Sequence, residues 1–266
     1  MTYTFLPALI SMGVIGCLLG FILAYASRVF YVEVDPKIEI IQDLLPGVDC
    51  GACGFPGCVG YAAALVKGTA KPGDCSPGGL KVADKISAIL GIEVSLKEPS
   101  IAIVRCQGGK SIATELFIYD GLQDCAAAEL LAGGPKACRY GCLGFGNCTT
   151  VCPFDAIHMN NERLPVVDPK KCTACGLCVS ACPRKIIEVV PRSWKVHVAC
   201  VSHDKGGRVK KICTLGCTGC KICVKETPSG AMDVKDFLAV IKRDVDETFE
   251  TAIEKCPQKT IVRLNF

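Results

Sequence analysis

Apolar and polar positions divide the chain unequally. From Thr4 to Ser27, TFLPALISMGVIGCLLGFILAYAS carries no charge, and about 20 apolar residues are enough to cross a bilayer as a helix. Nothing polar breaks the run, which argues against a buried core helix, and Gly13, Gly16 and Gly20 suit close helix–helix contact in lipid. A cleaved signal peptide would need a basic stretch before the apolar one, and Met1-Thr-Tyr offers none. The first cation, Arg28, lies just past the span and favours a cytoplasmic C-terminal side. Cys17, inside the span, reads as a small apolar residue. Beyond a short charged linker the apolar runs are brief. YAAALVKG from Tyr61 predicts a short helix; FDAIHM from Phe154 and RKIIEVV from Arg184 predict short strands, each started by a proline that cannot continue a helix.

What lies between those runs is cysteine. The chain has 266 residues with 21 cysteines, three histidines and one tryptophan. Length suggests one or two domains, but tight cysteine runs point to several small modules. A disulfide framework needs an oxidising compartment, and C-x2-C-x2-C is too tight for three cysteines all to find bridge geometry. Zinc favours pairs of ligands often completed by histidine. Triplets with a remote Cys-Pro have the spacing of iron–sulfur clusters, whose thiolates must be reduced during assembly; that again places the modules on the cytoplasmic side. A net charge of +4 is too small to indicate nucleic acid, and the cations are not interleaved with aromatics.

The first module reads PGVDCGACGFPGCVGYAAALVKGTAKPGDCSPGG over 46–79. Cys50, Cys53 and Cys58 sit in a glycine-rich loop that exposes backbone N–H groups, and Cys75 returns in a turn. Four soft thiolates in one compact unit suit a [4Fe–4S] cube, with a zinc knuckle as the alternative. A single N-terminal span followed by DCGACGFPGC…DCSPGG resembles the B subunit of the Rnf complex, the membrane-bound ferredoxin:NAD+ oxidoreductase. The resemblance runs through nearly the whole chain.

Two later runs, CRYGCLGFGNCTTVCP from Cys138 and CTACGLCVSACP from Cys172, read as a two-cluster ferredoxin. There the fourth cysteine of each run ligates the other cluster. One cube is therefore expected on Cys152, Cys172, Cys175 and Cys178. The other takes Cys142, Cys148 and Cys182; Phe145 fills the usual middle position, so Cys138 is assigned as its fourth ligand.

The module is repeated. Moved on by 75 residues, Cys138, Cys142 and Cys148 fall on Cys213, Cys217 and Cys223, and Pro153 falls on Pro228; moved by 74, Cys182-Pro183 falls on Cys256-Pro257. The duplicate keeps one complete site, Cys217, Cys220, Cys223 and Cys256. In the other, all four positions are replaced: Thr227, Asp246, Phe249 and Ala252. Random loss would leave partial sites, so one cube has been deleted from a retained fold, and DVDETFETAIEKC is expected to form a helix whose apolar face packs in its place. Rnf B subunits with longer cysteine lists fill both sites, so four cubes are expected here. Cys106, Cys125, Cys200 and Cys213 are left over. VRCQGGK and VACVSHDKG both follow strand-like runs, which pairs Cys106 with Cys200. Four inert buried thiols are the favoured reading of this set, and a fifth cluster is the alternative.

The fold class that follows is α+β: a transmembrane helix (1–27), a linker (28–36), an N-terminal 4Fe–4S domain (37–97), a β/α connecting segment (98–135), a two-cluster ferredoxin-like βαβ module (136–190) and a degenerate copy retaining one cluster (191–266). GGKS at 108–111 has Val104 where a P-loop needs glycine, and GFGNCT lacks the third glycine of a dinucleotide fingerprint. His158, His197 and His203 are scattered, with no acid–base constellation around them. The chain reads as wiring without a bond-making site. The resemblance implies electrons accepted from reduced ferredoxin at the cytoplasmic surface and passed through membrane partners of the complex to NAD+, coupled to Na+ or H+ export. Lys205, Arg208, Lys210, Lys211, Lys221 and Lys225 would steer an acidic ferredoxin, or are simply a solvated face. The alternatives are an iron–sulfur component of a corrinoid or acetyl-CoA pathway enzyme, where domains like the first module also occur, and a zinc-bound scaffold.

Overall fold

The computed structural model describes residues 2–30, 35–94, 98–243 and 249–264. Helix α1 (Thr2–Val29) is continuous through Pro7, which lies in the first turns, where few i→i−4 bonds are lost. Its stretch Leu9–Val29 has a mean hydropathy of 2.2 and buries none of its length against the rest of the chain. A helix apolar all round with no protein cover is what a lipid environment stabilises. The middle of the expected linker, 31–34, lies outside the described residues. Helix α2 (Pro36–Leu44) restarts the chain with Asp35 as its cap, whose carboxylate accepts from the Lys37 N–H at 2.9 Å.

The first module packs α2 against α3 (Gly57–Val66) and α4 (Gly79–Leu90) around Ile41, Tyr61, Leu65 and Ile86, all fully buried. Between α3 and α4, a 3-10 turn at Pro72–Asp74 leads into Cys75. The Tyr61 hydroxyl donates to the Lys71 and Pro72 carbonyls at 2.6 and 3.0 Å, fastening that turn to α3.

The rest is two copies of one unit, whose strands form antiparallel pairs in place of the expected βαβ order. In the first copy β1 (Ser100–Val104) leads, then α5 (Cys125–Leu130), α6 (Asn147–Thr150), the hairpin β2 (Ile157–Met159) and β3 (Pro165–Val167), α7 (Leu177–Ser180) and β4 (Ile187–Pro191). The second has β5 (Val196–Val198), α8 (Gly206–Ile212), α9 (Ile222–Lys225), the hairpin β6 (Met232–Lys235) and β7 (Leu238–Ile241), α10 (Glu250–Glu254) and β8 (Ile261–Arg263). In each copy the first strand pairs with the last, β1 with β4 and β5 with β8, and the hairpin pairs within itself. Helix α9 lies 75 residues after α6 and β8 begins 74 after β4, the same offsets that align the cysteines. The two ends of each copy therefore meet, which brings a Cys-Pro near the triplet that precedes it by thirty to forty residues.

Strand β4 packs on both faces: Ile187 joins one core cluster and Val190, on the opposite face, joins another, while Glu188 and Val189 are exposed; in β5 all three residues are buried.

Candidate metal centres

Every cysteine is an unpaired thiol. In the first module, Cys53, Cys58 and Cys75 pack on the α2–α3–α4 core. The Cys75 thiol is raised by burial and then by the neighbouring sulfurs of Cys58, Cys53 and Cys50, so the four expected positions face one another. Asp49 shapes the loop: its carboxylate accepts from the Cys58 N–H at 2.5 Å. Gly78 cannot be replaced freely, because a Cβ there would lie 3.2 Å from the Cys75 sulfur and 3.0 Å from Val82.

The two copies enclose four further thiol-lined voids. One of about 20 Å³ is lined by Cys152, Cys172, Cys175 and Cys178, the set expected from the crossed ligand rule. The Ala102 and Ala156 N–H groups donate to the sulfurs of Cys172 and Cys152 at 3.5 and 3.4 Å. A second void of the same size is lined by Cys217, Cys220, Cys223 and Cys256, with the Ala239 and Thr260 N–H groups on the Cys217 and Cys256 sulfurs, each at 3.4 Å. N–H···S bonds of this kind stabilise sulfur bearing negative charge.

The third void rearranges one expectation. Cys142, Cys148 and Cys182 share it with Cys125, and Cys138, assigned to them from the spacing, lies elsewhere. The reason is local. Asp124 caps α5 by accepting from the Ala127 N–H at 2.7 Å, and Asn147, the residue before Cys148, takes the Cys125 N–H on its side-chain oxygen at 2.7 Å. At the far end of α5, the buried Arg184 guanidinium, two residues past Cys182, pairs with Glu129 and donates to the Gly133 carbonyl. Helix α5 is thus clamped to both halves of the site and delivers a thiol where Phe145 supplies none. Phe145 itself stacks at 5.1 Å on Tyr119 of the connecting segment.

Cys138 lines the fourth void, about 30 Å³, with Cys106, Cys200 and Cys213. A signal for this existed in the repeat: Cys138 and Cys213 are equivalent positions, so the two share a fate. Cys17 stands apart, exposed on α1.

Burial raises several of the thiols, and neighbouring sulfurs raise them further. Cys142 and Cys178 are pushed up to about 12, and Cys148, Cys200 and Cys223 to about 11. Such groups are neutral without metal, and cluster assembly must displace their protons. Each void exceeds the ~10–15 Å³ that one water centre needs, yet walls of thiol and apolar carbon give water few partners. A single ion does not suit them either. Among the described residues no three thiol, imidazole or carboxylate groups gather closely enough to hold one, whereas a four-sulfur zinc site would set sulfurs about 3.8 Å apart, from its Zn–S length of about 2.3 Å. The donor set fits a larger, sulfur-ligated inorganic core.

At the positions expected to have lost a cube, the described residues are packed with protein. Thr227 is fully buried, its hydroxyl donating to the Cys223 carbonyl at 3.0 Å. Phe249 and Ala252 enter the core of the second copy alongside Met232 and Ala231. Asp246 and the first part of the expected helix lie outside the described residues; α10 covers Glu250–Glu254. The GGKS loop is closed onto a carboxylate, Glu162, which accepts from the Ser111 N–H and hydroxyl at 2.8 and 2.7 Å. A phosphate there would meet like charge.

Buried soft-ligand voids strung along a chain with one apolar, uncovered helix define a membrane-anchored iron–sulfur electron-transfer protein. Two family models match within it, one described as "Putative Fe-S cluster" over residues 45–77 and a 4Fe-4S binding domain over 165–188. The chain is 42% identical to the B subunit of the ion-translocating oxidoreductase complex of Methanosarcina acetivorans, over 93% of this chain and 94% of that one. It is 42% identical to the B subunit of the Na(+)-translocating ferredoxin:NAD(+) oxidoreductase complex of Acetobacterium woodii (94% and 75% covered) and 43% identical to the proton-translocating counterpart of Clostridium ljungdahlii (97% and 92%). The chain belongs to the family of B subunits of Rnf-type ion-translocating oxidoreductase complexes.

Proposed function

We propose that this subunit takes single electrons from reduced ferredoxin and relays them, through [4Fe–4S] cubes on the cytoplasmic side of the membrane, to other subunits of an Rnf complex that reduces NAD+. The cubes of this reading sit on Cys50, Cys53, Cys58 and Cys75; on Cys152, Cys172, Cys175 and Cys178; on Cys125, Cys142, Cys148 and Cys182; and on Cys217, Cys220, Cys223 and Cys256. When bound, such cubes supply one-electron oxidation and reduction without making or breaking bonds; the chain's residues hold, insulate and tune them through burial and N–H···S bonds. The observation that carries the reading is the gathering of cysteines from separate segments into four-thiol sets.

Neighbouring sets lie within electrostatic reach of one another: Cys175 feels the charge of Cys50, and Cys178 that of Cys148. An electron entering the first module thus has the Cys152/Cys172/Cys175/Cys178 cube beside it and the Cys125/Cys142/Cys148/Cys182 cube next. Lys205, Arg208, Lys210, Lys211, Lys221 and Lys225 are all exposed, around Cys220, itself exposed. That surface is the one an acidic electron donor would approach. Relatives whose names specify Na+ and protons are about equally similar to this chain, so overall similarity does not favour either ion. The corrinoid or acetyl-CoA pathway alternative draws no support from a chain matched end to end by Rnf B subunits.

Reductive titration of the anaerobically purified, full-length protein, followed by EPR, tests the reading. It expects several [4Fe–4S] signals that ferredoxin reduces; protein free of iron and labile sulfide would end it.

A further inference from the structure

We propose that the void lined by Cys106, Cys138, Cys200 and Cys213 holds a fifth [4Fe–4S] cluster, one that joins the two copies of the ferredoxin-like unit. The proposal rests on the relay reading above and extends it to a site whose ligands come equally from both halves of the repeat.

The symmetry is the first argument. Cys106 lies two residues after β1 and Cys200 two residues after β5, the equivalent first strands of the two copies. Cys138 and Cys213 are equivalent by the 75-residue offset. Each copy therefore contributes the same two positions, and the thiols converge on the seam between the copies. Four inert thiols would have no reason to occupy matching places around one void.

The seam is built to bring them together. Ala113 bridges to Cys213, the Thr114 N–H donates to the Ile212 carbonyl at 2.9 Å, and the Ala137 N–H donates to the Thr114 carbonyl at 2.9 Å. The connecting segment thus lies between the Cys213 and Cys138 segments and ties both in place. On the other side, Arg105 donates to the Val198 and Cys200 carbonyls, each at 3.4 Å, holding Cys106 beside Cys200. Gly108 closes the wall: a Cβ there would lie 3.5 Å from the Cys213 sulfur, 3.7 Å from that of Cys106 and 3.3 Å from Ala113.

The surroundings suit an anionic core. The Ser202 N–H donates to the Cys200 sulfur at 3.4 Å and the Cys142 N–H to the Cys106 sulfur, also at 3.4 Å. Lys136 is buried, 4% exposed, with its ammonium on the Gly108 carbonyl at 2.5 Å. A buried ammonium needs negative charge nearby; the Glu162 carboxylate supplies some, and a cube carrying four thiolates would add to it. The void is about 30 Å³, close to the 20 Å³ of its three neighbours.

The position also completes the wire. Cys106 accepts from the backbone of Cys142, in the third set, and Cys200 feels the sulfur of Cys217, in the set of the second copy. A cluster held there would lie between the Cys142 set and the Cys217 set and would supply one-electron oxidation and reduction linking the two copies, with reduced ferredoxin as the electron source.

Iron and acid-labile sulfide per polypeptide decide the matter in the full-length, anaerobically prepared protein and in its Cys106→Ala/Cys200→Ala variant. Wild type is expected to hold about twenty iron atoms and the variant about sixteen, at four per cube, with the variant keeping the EPR signals of the remaining centres. About sixteen in wild type, or no loss of iron in the variant, overturns the fifth cluster and leaves the relay intact. Should the variant not fold, the wild-type count alone decides between twenty and sixteen. An iron-free wild type would instead remove the relay reading itself.

Discussion

The two copies of the repeated unit share their strand pairing and the void between their triplet and their second Cys-Pro. They differ first at the other set of positions. In the first copy Cys152, Cys172, Cys175 and Cys178 line a void; in the second the equivalent positions are Thr227, Asp246, Phe249 and Ala252. There Phe249 and Ala252 are buried in the core and Thr227 satisfies its hydroxyl on the preceding helix turn. The difference teaches that the strand pairing does not require four thiols at that position: at its described residues apolar carbon fills the space, and the buried Thr227 hydroxyl has a partner.

A second contrast concerns the fourth ligand. The second copy uses Cys220, inside its own triplet. The first has Phe145 there and borrows Cys125 from α5. The largest expected effect tests that borrowing. Cys125→Ala should remove about four irons per chain, the content of one cube, and stop electron passage beyond the first copy, while Cys138→Ala leaves the EPR signal of the Cys142/Cys148/Cys182 centre in place. If instead Cys138→Ala erased that signal and Cys125→Ala did not, the ligand set drawn from the spacing would be restored.

Next in size is the packing that replaces the deleted cube. Phe249→Ala should cost about 3 kcal/mol, as buried Phe→Ala changes do, and lower the temperature at which the clusters bleach by roughly 5–10 °C. A shift under a degree would mean that the filled site contributes nothing to the second copy's stability.

Comparable in size is a pH effect at the seam. Burial holds His197 neutral and brings it down to about 4 from the ordinary 6.5. Its folded value is depressed, so its contribution is complete above about 6.5 and fades as pH falls toward 4, because the unfolded chain takes up the proton first. The loss amounts to about 3 kcal/mol over that window. Between pH 7 and 4.5 the melting temperature of wild type should fall more steeply than that of His197→Phe; parallel curves would exclude the histidine as the cause.

The smallest effect is at the surface. Reversing Lys210 and Lys211 to glutamate should slow reduction by ferredoxin several-fold at low salt and hardly at all at high salt, because exposed charges act within a Debye length of about 10 Å at 0.1 M. Equal rates for wild type and variant at low ionic strength would show that the donor docks elsewhere, such as on the first module.

How much could be read in advance follows from how far apart the partners are in sequence. The span from Thr4 to Ser27, the cysteine spacing of the first module and the Cys-Pro positions within each copy are set by local spacing and by a repeat, so the one-dimensional pattern carries them. The replacement of four thiols by Thr227, Asp246, Phe249 and Ala252 was legible for the same reason. The exchange of Cys125 and Cys138 was not. Both precede the triplet, and choosing between them requires knowing that Asn147 and Arg184 clamp α5 against the site while Thr114 ties the strand before Cys138 to Cys213. These are contacts across twenty to a hundred residues, made by single polar side chains and backbone groups with no spacing signature. Sequence alone therefore determined that this chain is a row of thiol-bound modules on a membrane anchor, because triplet and span are short-range patterns. Tertiary structure decided which distant thiol lies by which triplet and that three of the leftover cysteines, Cys106, Cys200 and Cys213, meet Cys138 at the seam, because only chain reversal brings the first strands of the two copies side by side.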